Sequence, residues 1–439
     1  MHLPRRTELA AMARLALPVV LAQVGLMAMG VVDTLMVGRV SAAALAGVAL
    51  GNLYFVTLTV PAVGTLMVLD PLVAQAVGAM DEEGTARGIQ RGLLLALLLS
   101  VVASVLLLPV RPVLALLHQP AEVVASAAPY VRVSILGVIP FLAFVVLRQS
   151  LQALGELRVM VVVVVVANLL NAFLNWVFVY GHLGSEAMGA VGSAWATCIS
   201  RWLMALLLLG FGWRALRPSL HRWRPGTLAP RPLLHMLHLG VPIGMQQLLE
   251  FGAFSAIGML MGMLGTRELA AHQIAINLAS LTFMVPLGIG AAAAVRVGRA
   301  VGAGDLESAR ESTRAALVCG VGFMTLTAAV FLVAPHAIAR MYTRDLPVVA
   351  LAATLIPIAG VFQVFDGIQA VCAGALRGMG DTRVPFLLNL VGFWLAGLPV
   401  SVALGFYTSL GAAGLWWGFV AGLATVAGLL LLRVRERLG

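Results

Sequence analysis

Apolar runs of about 20 residues alternate with short polar breaks along the whole chain. A helix of that length rises about 30 Å, the thickness of the hydrocarbon layer of a bilayer. Lipid offers the backbone no hydrogen bonds, so each run is expected to cross as a helix. The pattern predicts twelve spans, at 10–36, 44–72, 91–110, 124–148, 158–180, 189–213, 234–262, 270–294, 313–335, 348–375, 384–406 and 411–433. Composition strengthens this picture. The 439 residues are 61% hydrophobic and 10% charged, with a mean hydropathy of +1.01, more apolar surface than a soluble domain of this length could cover. The expected class is an all-α integral membrane protein. The first span is apolar for longer than a signal-peptide core and is expected to remain in place.

Charge changes the picture only through its distribution. All 28 basic residues are Arg, giving a net charge of +10. Of these, about 21 fall at the termini, in loops after even-numbered spans or at the span ends on that same side, five in the opposite loops, and Arg132 and Arg201 deeper within spans. The positive-inside rule then places both termini and the Arg-rich loop 214–231 in the cytoplasm, and no nucleic acid is needed to explain the charge. Cys198, Cys319 and Cys372 lie inside predicted helices at no metal-binding spacing and read as packing residues. No P-loop pattern is present, so ATP-driven transport would require a partner chain.

A shift of about 224 residues brings the two halves of the chain into register. "NLYFVTLTVP" matches "NLASLTFMVP", "LQALGELR" faces "LRGMGDTR", "GAVGSAW" faces "GAAGLWW", and Pro18 faces Pro242. Shared hydrophobicity does not explain matches that include Asn, Pro, Gly and Arg. Each half carries six spans and so enters the membrane in the same sense. The expected organisation is an N-terminal lobe 1–213, a cytoplasmic linker 214–231 and a C-terminal lobe 232–439. These would be two six-helix bundles related by a pseudo-two-fold axis along the membrane normal, with a substrate site between them. Such a design suits alternating access by a transporter better than an enzyme.

Polar residues inside the spans supply the candidate chemistry. Glu250 sits in "IGMQQLLEFGAFSAIGMLMGML", where a carboxylate costs roughly 2.5–3.5 kcal/mol on insertion scales, so it should face a cavity or a partner. Gln246, Gln247 and Phe254 lie three or four residues away on or near its face, Met259 belongs to a nearby Met-rich stretch, and with Gln363 these four are expected to line the substrate cleft. Asp366 has Gln363 and Gln369 at i−3 and i+3. Asp33 follows in the first span, and Asn168, Asn171 and Asn175 form a polar stripe in the fifth. Each carboxylate can hold a proton, a metal cation or an organic cation, but not all at once, and that competition is the physical basis of antiport. Each can also be read as a structural group tied to a neighbouring helix, and the asparagines as interhelical glue. His272 reads as cavity lining rather than a proton relay.

"VVDTLMVGRV", "PLVAQAVGA", "NLLNAFLNWVFVYG", "GAVGSAWAT", the seventh-span glutamate and "DGIQAVCAGALRGMGDTRVP" together resemble the multidrug and toxic compound extrusion (MATE) family, in particular its NorM-type branch. The resemblance covers essentially the whole chain. It implies a bacterial inner-membrane antiporter that exports amphipathic organic cations in exchange for Na⁺ or H⁺, works as a monomer in lipid, and needs no cofactor. Carried over by position, Glu250 and Asp366 would hold the coupling ion, with Na⁺ favoured. Asp33 would be the N-lobe carboxylate, with Asn171, Asn175 and Thr197 as its polar neighbours, and Pro18 would mark a helix bend. Asp70 departs from the family pattern. In the repeat register it falls near the counterpart of Arg296, which suggests an Asp70–Arg296 gate on the cytoplasmic side, against the alternative that Asp70 caps or pairs within its own lobe. Two other functions compete. A lipid-linked precursor flippase of the same superfamily would have a more basic cleft and extra spans, and a membrane-embedded transferase would have an acidic catalytic cluster in its loops.

Overall fold

The computed structural model describes residues 4–438. The first half contains α1 (Arg6–Gly38), α2 (Ala42–Leu66), α3 (Leu69–Gly78), α4 (Glu82–Leu107), α5 (Val110–Leu116), α6 (Ala121–Ile135), α7 (Val138–Leu154), α8 (Leu157–Tyr180) and α9 (Ala190–Phe211). A short helix, α10 (Trp213–Leu220), follows. The second half contains α11 (Pro230–Leu264), α12 (Thr266–Gly302), α13 (Leu306–Val333), α14 (Pro335–Tyr342), α15 (Leu346–Gly378), α16 (Arg383–Asn389), a π-helical segment Leu390–Gly397, α17 (Leu398–Phe406) and α18 (Gly411–Leu438). Among the described residues, eleven helical stretches are long and apolar enough to cross a bilayer, and the bent pair α6–α7 makes twelve. All twelve predicted spans are present. The repeat is also visible in the element bounds, since subtracting 224 from those of α12 and α13 gives 42–78 and 82–109, against 42–78 for α2–α3 and 82–107 for α4.

The caps repeat as well. Asp81 accepts from the Gly84 N–H at 2.8 Å to start α4, and Asp305, 224 residues later, accepts from the Ser308 N–H at 2.9 Å to start α13. Each satisfies an N–H that the first helical turn leaves without an intrahelical partner.

The copies differ where proline intervenes. Pro71 cannot donate to the Met67 carbonyl four residues back, and the helix is interrupted at Met67–Val68 between α2 and α3. Pro140 stands in the same relation to Leu136, and there the fourth span bends by 53°. The Leu136 carbonyl accepts from the Trp202 indole instead, at 3.2 Å. The repeat places Val295 and Val364 opposite these prolines, and α12 and α15 run unbroken. The sequence pattern predicted a single helix over 124–148, so this break is a correction.

Packing divides the chain into two compact units, Leu21–Gly244 and Met1–Val20 with Met245–Gly439. This differs from the expected lobes, because the boundaries fall within α1 and α11, just past Pro18 and Pro242, rather than at the linker. Met12 and Ala16 of α1 pack with Ile289, Ala292, Ala315 and Val371 in one unit. In the other, a Cβ on Gly240 or Gly244 of α11 would meet the Thr65 or Pro61 carbonyl at 2.4 or 2.3 Å. Both long helices continue through their prolines without a break in the helix.

The segment expected to be a cytoplasmic linker is folded onto α4. Gln90, 1% exposed, donates to the Ser219 and Arg222 carbonyls at 2.6 and 2.8 Å and accepts from the Arg224 N–H and Thr227 hydroxyl at 3.0 and 2.8 Å. Both polar atoms of the amide are therefore fully engaged.

Candidate functional sites

In unit Leu21–Gly244, Asp33 is 5% exposed. Asn175 of α8 donates to its Oδ1 and Thr197 of α9 to its Oδ2, each at 2.6 Å. Asn171 donates to the Thr197 hydroxyl at 3.4 Å, and Asn175 also donates to the Asn171 carbonyl at 3.0 Å. The i, i+4 spacing puts both asparagines on one face of α8, toward α1. Further anchors set the register of these helices: Asn168 donates to the Gly25 carbonyl at 2.9 Å and the Tyr180 hydroxyl to the Met36 carbonyl at 2.8 Å. Hydrogen bonds to an ionised group contribute about 1.5–3 kcal/mol each, so this arrangement holds a carboxylate in place. Arg201, one turn beyond Thr197, acts on Asp33 electrostatically.

In the other unit, Glu250 and Asp366 lie close enough to influence one another's charge. Gln369 donates to Glu250 Oε2 at 3.3 Å and to Asn389 Oδ1 at 3.0 Å, and Asn389 donates to the Pro385 carbonyl at 3.0 Å. Asp366 Oδ1 and Gln369 Oε1 are buried acceptors with no hydrogen-bond donor among the described residues. Gln363 accepts from the hydroxyls of Thr282 and Thr327. The wide turns of the π segment bring Trp394 to α11, where its indole donates to the Leu249 carbonyl at 3.1 Å beside Glu250. One turn on, Phe254 meets Phe362 and Phe419 edge-on at 5.8 and 4.9 Å, the start of an aromatic cluster that reaches Phe393 and Trp416.

A scan with family profiles matches MatE twice, over residues 18–177 and 242–403, so the profile repeats at the offset seen in the sequence. The chain belongs to the MatE family. It is 40% identical over 434 residues to the multidrug resistance protein NorM of Burkholderia vietnamiensis, covering 96% of this chain and 92% of that protein. It is 37% identical to the multidrug resistance protein PmpM of Pseudomonas aeruginosa, covering 98% and 91%. Among solved structures, the eukaryotic MATE transporter AtDTX14 superposes with a TM-score of 0.89 at 23% identity, covering 99% of both chains. A MATE crystal structure in the bent conformation gives 0.88 at 22% identity, covering 98% of this chain and 95% of that one. The fold is therefore that of MATE proteins, transporters built from twelve helices in two bundles.

For this MatE-family chain, the structure brings Asp33, Asn171, Asn175 and Thr197 together, and separately Glu250, Asp366 and Gln369. Gln246 and Gln363 are buried, and Gln247 is half-buried on α11. Met259 does not join the Glu250 group. Nine residues of helix place it on the opposite face of α11, where it is 74% exposed. His272 is 3% exposed, its ring 5.7 Å from that of Trp416. Asp70 is buried in the first turn of α3, and Arg296 is held within its own unit by Glu8 and by the Ser312 hydroxyl at 3.3 Å. Asn389, Thr282, Thr327 and Trp394 were not anticipated. A lone asparagine in an apolar span was the available signal for Asn389, but which helix it would meet depends on the fold.

Proposed function

We propose that this MatE-family protein exports amphipathic, often aromatic organic cations and drives that export by inward movement of Na⁺ bound at Glu250 and Asp366. The observation that carries this reading is the charge of the Glu250–Asp366 group. Asp366 is 3% exposed and Glu250 half-buried beside it, and among the described residues neither is ion-paired with an arginine. Such a site calls for a cation. Free acceptor oxygens on Asp366 and Gln369 suit a hard ion such as Na⁺, and protonation of the carboxylates is the alternative way to neutralise the site. The multidrug names of the NorM and PmpM relatives support the substrate class.

In this reading the two repeated halves alternate access to the substrate. The protein sits in a bacterial inner membrane with both termini cytoplasmic, as its arginine distribution supports. The Asp70–Arg296 gate belongs to the same cycle. In it Arg296 exchanges its present partner Glu8 for Asp70, so transport lost in Asp70→Arg and in Arg296→Asp returns when the two are combined. No recovery in the combined variant removes the gate.

The deciding measurement is ethidium export from proteoliposomes under an imposed Na⁺ gradient and then a pH gradient, with Glu250→Gln run alongside. Na⁺-driven export that the substitution abolishes is the expected result. Export driven only by the pH gradient changes the ion to H⁺. No movement under either gradient returns the lipid-linked precursor reading.

A further inference from the structure

Arg201 is a guanidinium at the middle of a membrane span, a costly position unless it serves a purpose. It is half-buried, and among the described residues it makes no hydrogen bond and no ion pair. What holds it is aromatic. Its Cζ lies 4.3 Å from the Phe55 ring centroid and 5.0 Å from that of Phe141, and the two rings are 6.5 Å apart. The break between α6 and α7 leaves room for it, since a Cβ at Gly137 would come within 3.2 Å of Arg201 Cδ and 3.4 Å of Nη1.

A cation–π contact holds a guanidinium by its charge and takes no oxygen acceptor to its N–H edges. Those edges form a planar fork that matches a carboxylate bidentately. Phe55 and Phe141 therefore hold the guanidinium from two sides of its surroundings, while among the described residues no acceptor occupies its N–H donors. Asp33 stands nearby, held by Thr197 one turn along α9, and its charge acts on Arg201. A simple anion would meet that negative charge. A molecule carrying both a carboxylate and a cationic centre satisfies Arg201 and Asp33 together.

We propose that Arg201, clamped by Phe55 and Phe141, is a specificity-determining residue that receives the carboxylate of zwitterionic aromatic molecules, with Asp33 attracting their positive end. This deepens the proposed function by naming the residue that reads a substrate's carboxylate, and it rests on that reading only for transport, not for binding. Arg201 itself contributes a recognition charge of the opposite sign to the coupling carboxylates.

The test uses two probes that differ in one group: rhodamine 110, a zwitterion with a free carboxylate, and its methyl ester rhodamine 123, a cation. Binding to the purified full-length protein is followed by fluorescence anisotropy in wild type, Arg201→Gln and Arg201→Lys, each checked for monodispersity. The expected result is that Arg201→Gln weakens rhodamine 110 binding at least tenfold and leaves rhodamine 123 unchanged or tighter, because the like charge is gone. Arg201→Lys, which keeps the charge but loses the fork, falls between, and it decides the question should the Gln variant not fold. Equal loss of both probes, no loss of either, or failure of wild type to bind rhodamine 110 overturns the proposal. Failure of wild type to bind rhodamine 123 counts against organic-cation export instead and leaves the rhodamine 110 comparison intact.

Discussion

The Thr197 hydroxyl donates to Asp33 Oδ2 at 2.6 Å, joining α9 to α1 across 164 residues of chain. Because Asp33 is buried and its other oxygen is already bonded by Asn175, Thr197→Val leaves one carboxylate oxygen without its donor, at a cost of about 1.5–3 kcal/mol. Thr197→Ser keeps the hydroxyl. Expected outcomes are a lower melting temperature and a tenfold or greater loss of export for the Val variant, with near wild-type behaviour for Ser, measured by thermal unfolding and proteoliposome transport.

Gln369 links Glu250 to Asn389. Gln369→Leu removes the donor to Glu250 and the free acceptor beside Asp366. Half-maximal export should then require roughly tenfold more Na⁺, equivalent to about 1.4 kcal/mol of binding, while the maximal rate falls less. An unchanged Na⁺ dependence would separate Gln369 from the ion site.

Helices α12 and α15 touch backbone to backbone. A Cβ at Gly374 would lie 2.1 Å from the Gly290 carbonyl oxygen, whereas one at Gly322 on α13 meets nothing within 4 Å. Neither atom at the tight contact belongs to a flexible side chain, so Gly374→Ala must spread two helices. It should cost about 2–3 kcal/mol or more and reduce the yield of folded protein. Gly322→Ala serves as the matched control and should be neutral or slightly stabilising, since alanine is the better helix former.

Gln90→Ala deletes four hydrogen bonds to the segment after α10 at once. Trypsin should then cut after Arg222 at least several times faster than in wild type, because the loop is no longer held to α4. Equal cutting rates would show that the loop is fixed by other contacts.

Ser308 holds the Asp305 carboxyl below its ordinary value near 3.8 through its hydroxyl and its N–H. A depressed folded-state value means the cap's contribution is fully present above 3.8 and is lost as pH falls below it through the folded-state value. Hydrogen exchange at the start of α13 should therefore accelerate in that acid window. Asp305→Asn, which caps without titrating, should remove the pH dependence.

Much of this architecture was legible because hydrocarbon imposes a simple rule on sequence. Every predicted span has its helix, and the repeat seen in "NLYFVTLTVP" and "NLASLTFMVP" returns in the element bounds. Asp33, Asn171, Asn175 and Thr197 come together because helical spacing already placed the asparagines on one face. Where sequence failed, tertiary contact decided. Met259 was expected in the substrate cleft because flexible thioethers suit a promiscuous pocket, although nine residues of helix turn it away from Glu250. The units divide within α1 and α11 because Met12 and Gly240 pack with residues that no linear pattern connects to them. Arg201 was visible in its span, but its place between Phe55 and Phe141 requires three helices and a break to converge.

The prolines that interrupt the second and fourth spans have no counterparts in the second half. The repeat gives two similar scaffolds, one interrupted at Met67–Val68 and Leu136–Gly137 and the other continuous at the matching positions. Elastic compliance is then a property of the first half, near Met67 and Gly137, and any strain passed into the protein will concentrate at those two joints. Arg201 rests against one of them, so a molecule that grips its guanidinium also presses on a joint.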